Sequence, residues 1–122
     1  MKNTKKSETG GGRYSLLTES NFARASAGKL IFLDFTADWC PSCLEFAQVF
    51  AAVSAEIREA NFFKVDADSV AMLDGLFGYT AVPYIIAVND GKIAAEYEDF
   101  PRTAESYGKW VRRQIARYGG NR

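Results

Sequence analysis

Cys40 and Cys43 are the only cysteines in a chain of 122 residues, and only Pro41 and Ser42 stand between them. When such a pair opens a helix, the second thiol lies about one turn from the first, within bonding reach. The pair can then pass between dithiol and disulfide with little backbone movement. Exchange of this kind needs a thiolate that attacks a disulfide sulfur and a second thiol that resolves the mixed disulfide. A helix N-terminus favours the thiolate through unpaired N–H groups and the positive end of the helix dipole. In such motifs the cysteine pKa falls from about 8.5 into a range of roughly 3.5–7.5. Pro41 suits the first helical position, since its fixed φ is already helical and its missing N–H removes no helix bond.

The elements on either side are those such a turn requires. Lys29 to Phe35 is an almost unbroken apolar run holding one acid, Asp34, and predicts a central strand over Leu30–Phe35 covered on both faces. After the cysteines, Phe46, Val49, Phe50, Val53 and Ile57 recur at helical spacing, which predicts a helix from Pro41 with that stripe in the core. Upstream, Arg13–Leu17 reads as a short edge strand. Thr18 is the expected N-cap of a first helix, with Glu19 in its first turn, Phe22 opening its buried face and Gly28 closing it.

Downstream, Phe62–Ala67 predicts a third strand. Asp68 or Ser69 should cap a short helix that carries Val70, Leu73 and Phe77 and ends near Gly78. Tyr84–Val88 and Lys92–Tyr97 read as a hairpin joined by Asn89-Asp90-Gly91. A last helix from about Thr103 places Ala104, Tyr107, Val111 and Ile115 on one face. Crossover connections demand parallel neighbours and the hairpin demands an antiparallel pair. The expected fold is therefore α/β, a central mixed sheet flanked by helices on both faces. Residues 1–13, polar and glycine-rich, read as a disordered tail or linker, and residues 14–122 as one domain.

Composition removes several function classes. The formal net charge is zero, so no global field points to nucleic acid or an anionic membrane as partner. No apolar run approaches the length of a membrane span, and the N-terminus carries no apolar signal segment. The protein is expected in the cytoplasm if the chain is complete, and in the periplasm or secretory pathway if a leader has been trimmed. Histidine is absent, which rules out a Cys-His dyad, a Ser-His-Asp triad and any histidine-ligated metal within this chain. Two thiolates are half of a zinc or iron–sulfur site, so only a dimer pooling four could hold one. The expectation is no metal and no bound cofactor.

With these elements in order, the chain resembles the thioredoxin superfamily from Tyr14 to about Tyr118. The resemblance rests on Trp39-Cys40-Pro41-Ser42-Cys43 after a buried strand, on Asp34 six positions before Cys40, on Val82-Pro83 ahead of a strand, and on Asn89-Asp90-Gly91 leading into the last strand. Leu17 to Phe22 adds a family-like entry to the first helix. Leu33 to Cys40 is similar to the thioredoxin-like domain of the bacterial transmembrane disulfide reductor. Tyr97 to Ser106, together with Cys-Pro-Ser-Cys, is similar to protein disulfide isomerase and its transmembrane relatives.

The resemblance implies a thioredoxin fold and a thiol–disulfide oxidoreductase acting as a monomer on protein disulfides, with electrons exchanged through a redox partner protein. It implies that Cys40 is the exposed nucleophile and Cys43 the buried resolving thiol. Asp34 would lie beneath the disulfide and carry the proton of Cys43, as a carboxyl raised by burial can do near neutral pH. Pro83 would be cis and present the backbone of Val82 to an extended substrate. Trp39 and Pro41 would form part of the docking surface. Plainer roles stand beside these: Asp34 as a strand-end acid at the surface, Trp39 as packing, Val82-Pro83 as an ordinary trans loop.

The chain also departs from the family pattern. Pro41-Ser42 replaces the common Gly-Pro or Gly-His, and the lack of a histidine there argues against a strongly oxidising couple. Ser42 could donate a hydrogen bond to the Cys40 sulfur. Gln48 stands where a kinking proline is usual, and Ala81 and Tyr84 alter the substrate groove on either side of Val82-Pro83. Lys64 lies near the strand position of a lysine that pairs with the buried acid in some relatives, but its register does not match, and it is left unassigned. Two other functions remain open: a redox-sensing or docking module without turnover, and glutathione-linked exchange, for which Ala81-Val82-Pro83 is a hint.

Overall fold

The computed structural model describes residues 12–69, 77–78 and 81–119. Five strands form one sheet: β1 (Ser15–Leu16), β2 (Leu30–Thr36), β3 (Asn61–Asp66), β4 (Tyr84–Asn89) and β5 (Lys92–Glu96). Their spatial order is β1-β3-β2-β4-β5. β1 and β2 flank β3 in parallel, while β4 runs antiparallel to β2 and β5 antiparallel to β4. The sheet is mixed, as the crossovers and the hairpin together require.

Every residue of β2 is buried, and strand alternation divides them between two cores. Leu30 and Phe32 face the cluster built with α2 (Pro41–Glu56) and α3 (Ala104–Tyr118), where Phe46, Phe50, Val53, Tyr107 and Trp110 pack. Ile31, Leu33 and Phe35 face the opposite side, where Phe22 and Ala25 of α1 (Phe22–Ser26) and Phe77 cover them. Helices therefore cover both faces. Of the stripe expected on α2, Phe46, Phe50, Val53 and Ile57 are buried and Val49 is half-buried.

The hairpin turn places Asp90 at φ 53° and Gly91 at φ 83°, the two positive values that a tight β-turn between twisted strands demands. Asp90 Oδ1 also accepts from the Gly28 amide at 2.7 Å, tying the hairpin to the loop before β2. At α3, Thr103 is the N-cap, its hydroxyl accepting from the Ser106 amide at 3.1 Å.

Two local expectations are corrected. Thr18 does not cap α1, which begins at Phe22. Asn21 intervenes: its side-chain oxygen accepts from the Thr18 amide at 2.8 Å and its amide donates to the Leu16 carbonyl at 3.2 Å. This local bonding holds residues 18–21 as a turn in place of the first helical turn. The second correction is at the N-terminal boundary. Arg13 donates from its amide to Ser54 Oγ at 2.9 Å, and a Cβ on Gly12 would sit 2.7 Å from Ala51 Cα. Gly12 and Arg13, assigned to the tail by their composition, pack on α2; residues 1–11 lie outside the described residues. So do Val70 and Leu73 of the helix expected after Ser69, whose last positions, Phe77 and Gly78, are described.

Candidate active site

Cys40 and Cys43 form a disulfide at the start of α2, with their Cα atoms 5.2 Å apart. Cys40 is the N-cap of the helix and Pro41 its first residue. The Cys43 amide, one of the donors that a helix N-terminus leaves unpaired, donates to Cys40 Sγ at 3.2 Å. Ser42 Oγ lies 3.4 Å from the same sulfur. Since a disulfide sulfur carries no hydrogen, the Ser42 hydroxyl is the donor. Two hydrogen bonds and the helix dipole thus converge on Cys40, an arrangement that favours negative charge on that sulfur when the disulfide opens.

Cys40 is not exposed as expected. It retains 5% of its surface, while Cys43 is fully sealed. The cover comes from Ala37 and from Val82, whose carbonyl oxygen stands 3.7 Å from Cys40 Sγ. The Val82–Pro83 peptide bond is cis, and so is Phe100–Pro101, for which the sequence carried no expectation. Val82 and Pro83 are both half-buried. Trp39 is 68% exposed, and its indole N–H donates to Asp68 Oδ2 at 2.9 Å, so it lies at the surface with a fixed orientation. Pro41 is exposed beside it.

Asp34 is 1% exposed, on the β2 face toward α2 and α3, and its Oδ1 has no hydrogen-bond partner among the described residues. Burial raises its pKa from 3.8 to about 7, against the opposing pull of Lys64 and then Arg102. Lys64 is the direct cross-strand neighbour of Asp34 in the β2–β3 register. This corrects the reading that left Lys64 unassigned: counting along one strand does not reveal how two parallel strands align. Tyr107, also fully buried, has a hydroxyl without a partner among the described residues, and its pKa is pushed well above the ordinary value by burial, then by Asp34 and Tyr97. Lys64, Arg102 and Tyr107 are thus site neighbours that the motifs did not single out.

The thioredoxin family model matches residues 13–113. The chain belongs to the thioredoxin family. Its thioredoxin domain is 40% identical to thioredoxin H3 of Arabidopsis thaliana over 76 residues, which cover 62% of this chain and 64% of that protein. It is 32% identical to thioredoxin of Chlamydia muridarum over 77 residues, covering 63% and 76%. The chain thus spans slightly less than two thirds of the plant relative's length. Among solved structures, the first two thioredoxin domains of Saccharomyces cerevisiae Eps1p superpose with a TM-score of 0.77 at 27% identity, over 84% of this chain and 41% of that one. Among the described residues of the thioredoxin domain, no helix is long and apolar enough to cross a membrane.

Proposed function

We propose that this protein is a thiol–disulfide oxidoreductase that exchanges its Cys40–Cys43 pair with disulfides of protein substrates. The observation that carries this reading is the Cys43 amide aimed at Cys40 Sγ at the mouth of α2. In the reducing direction, the Cys40 thiolate attacks one sulfur of the substrate disulfide. That S–S bond breaks, and the departing substrate sulfur takes a proton from water. Cys43 then gives its proton to the Asp34 carboxylate and attacks Cys40 Sγ, releasing the second substrate sulfur and closing the Cys40–Cys43 disulfide. A carboxyl with a pKa of about 7 is partly ionised near neutral pH, which suits it to accept that proton. A redox partner protein returns the two electrons. In this scheme Val82 and cis Pro83 border the docking segment, and Trp39 and Pro41 form the exposed surface next to Cys40.

Near-complete cover of Cys40 favours a second reading, a docking module that holds partners without turnover. Reduction of insulin by dithiothreitol separates the two. The exchange reading expects acceleration by the wild-type protein and none by Cys40→Ser. Equal rates for the two proteins would leave the docking reading.

A further inference from the structure

A groove of about 420 Å³ is bordered by Pro83, Tyr84, Glu96, Glu98, Phe100 and Arg102. Pro83, in its lining, follows Val82, whose carbonyl faces Cys40 Sγ, so the groove begins one residue from the cover over the reactive sulfur. Its charge is unbalanced. The Tyr84 hydroxyl donates to Glu96 Oε2 at 2.9 Å and fixes that carboxylate at the rim. The Glu98 pKa is raised, first by a hydrogen bond the two carboxyls share when one of them is protonated and then by the Glu96 charge. Among the described residues, neither glutamate has a Lys or Arg nitrogen within salt-bridge distance; the nearby Asp99 does, from Arg113 at 3.9 Å. Arg102 supplies one positive charge against two carboxylates, and its guanidinium lies 4.6 Å over the Phe100 ring. Phe100 itself is 75% exposed.

A cation placed between Glu96 and Glu98 would relieve their repulsion, and its aliphatic stem could lie along Tyr84 and Phe100. We propose that this groove selects substrate segments carrying a lysine or arginine close in sequence to the disulfide under attack, with Glu96 and Glu98 as the specificity-determining residues. The inference rests on the exchange reading above for what happens at the sulfur, but the selection itself is a binding event. An extended segment lying past cis Pro83 would bring its side chains over the groove in alternation, so a basic residue flanking the target cysteine would reach it.

The test uses two peptides identical except for lysine or glutamate flanking one position. Binding is followed on the oxidised protein by backbone amide shifts, with serine at that position. Turnover is followed as kcat/KM on the matching peptide disulfides. The lysine peptide should shift amides of Tyr84 and of residues 96–100, and bind about 5- to 10-fold more tightly than the glutamate peptide at low salt. The same ratio should appear in kcat/KM, shrink at high salt, and fall to near unity in the Glu96→Gln/Glu98→Gln variant. Equal affinity for both peptides, or a lysine preference that survives in the double variant, would overturn the proposal. Preferential binding without turnover would leave the selection standing and remove the exchange reading; turnover without preference would do the reverse.

Discussion

Phe32 and Asp34 stand two residues apart on β2, point toward the same two helices and are equally sealed from water, at 0% and 1% exposure. Their physical situations are opposite. The Phe32 ring stacks on Phe62 at 5.3 Å between centroids and meets the edge of Trp110 at 5.9 Å. Burial there removes apolar surface from water and is favourable. Asp34 presents a carboxyl oxygen with no partner among the described residues, and the same burial opposes its charge. One face of one strand thus serves two purposes: its middle stabilises the domain, and its C-terminal end, where the chain turns toward the cysteines, holds a group poised to titrate.

The largest effect expected from breaking this contrast is at Phe32. Phe32→Ala should lower the free energy of unfolding by about 3–5 kcal/mol, the range for removing a fully buried ring. Guanidinium denaturation of the oxidised protein reads it, and the loss should be the same at pH 5 and pH 8. A loss under about 1 kcal/mol would mean the aromatic cluster closes over the gap, and the dry end would not be the stabilising one.

Asp34→Asn should act in the opposite direction and depend on pH. In the folded state the carboxyl binds its proton up to about pH 7, whereas in the unfolded chain it loses it near 3.8. The native state therefore holds more protons between those values, and stability falls as pH rises through that window. The full displacement corresponds to about 4 kcal/mol. An amide at this position still has donors to satisfy, so the variant should exceed wild type by about 2–4 kcal/mol at pH 8 and converge on it as pH falls toward 4. Matching pH profiles for the two proteins would show that Asp34 keeps an ordinary pKa.

Features closed by neighbours in sequence were legible: the Cys40–Cys43 turn with Pro41 at the first helical position, the Asp90-Gly91 hairpin, the start of α3 near Thr103 and the stripe of α2. Each depends on residues a few positions apart. What escaped depends on distant partners or on competition between local bonds. The cover over Cys40 comes from Val82, 42 positions away, and Arg13 is held by Ser54, 41 positions away. Thr18 is a sound cap by residue type, yet its hydroxyl pairs with Ser20 Oγ at 3.0 Å and Asn21 takes the cap position of α1. Lys64 meets Asp34 only through the alignment of β3 with β2, which packing of the whole sheet sets. Glu96 and Glu98 read as ordinary charged residues of a hairpin strand and the loop after it until the groove beside Pro83 is visible.

The smallest effect sharpens the contrast from its polar side. Lys64 is half-buried directly across from Asp34, and its charge is the larger of the two that pull the Asp34 pKa down. Lys64→Met keeps most of the side-chain volume and removes the charge, so it should raise the Asp34 pKa further. At pH 5 Asp34 is protonated in the folded wild type and in the variant alike, and the substitution should leave stability nearly unchanged. At pH 8 the ionised carboxylate loses the larger of its two favourable charges, and the variant should be less stable by about 0.5–1 kcal/mol. The pH difference is the informative quantity, because loss of packing by the lysine stem would appear equally at both values. Direct titration of the Asp34 carboxyl carbon by NMR should show its midpoint moving upward in Lys64→Met. A midpoint that stays in place would assign the depression of Asp34 to Arg102 alone, and would make the cross-strand pairing a matter of geometry with no electrical consequence.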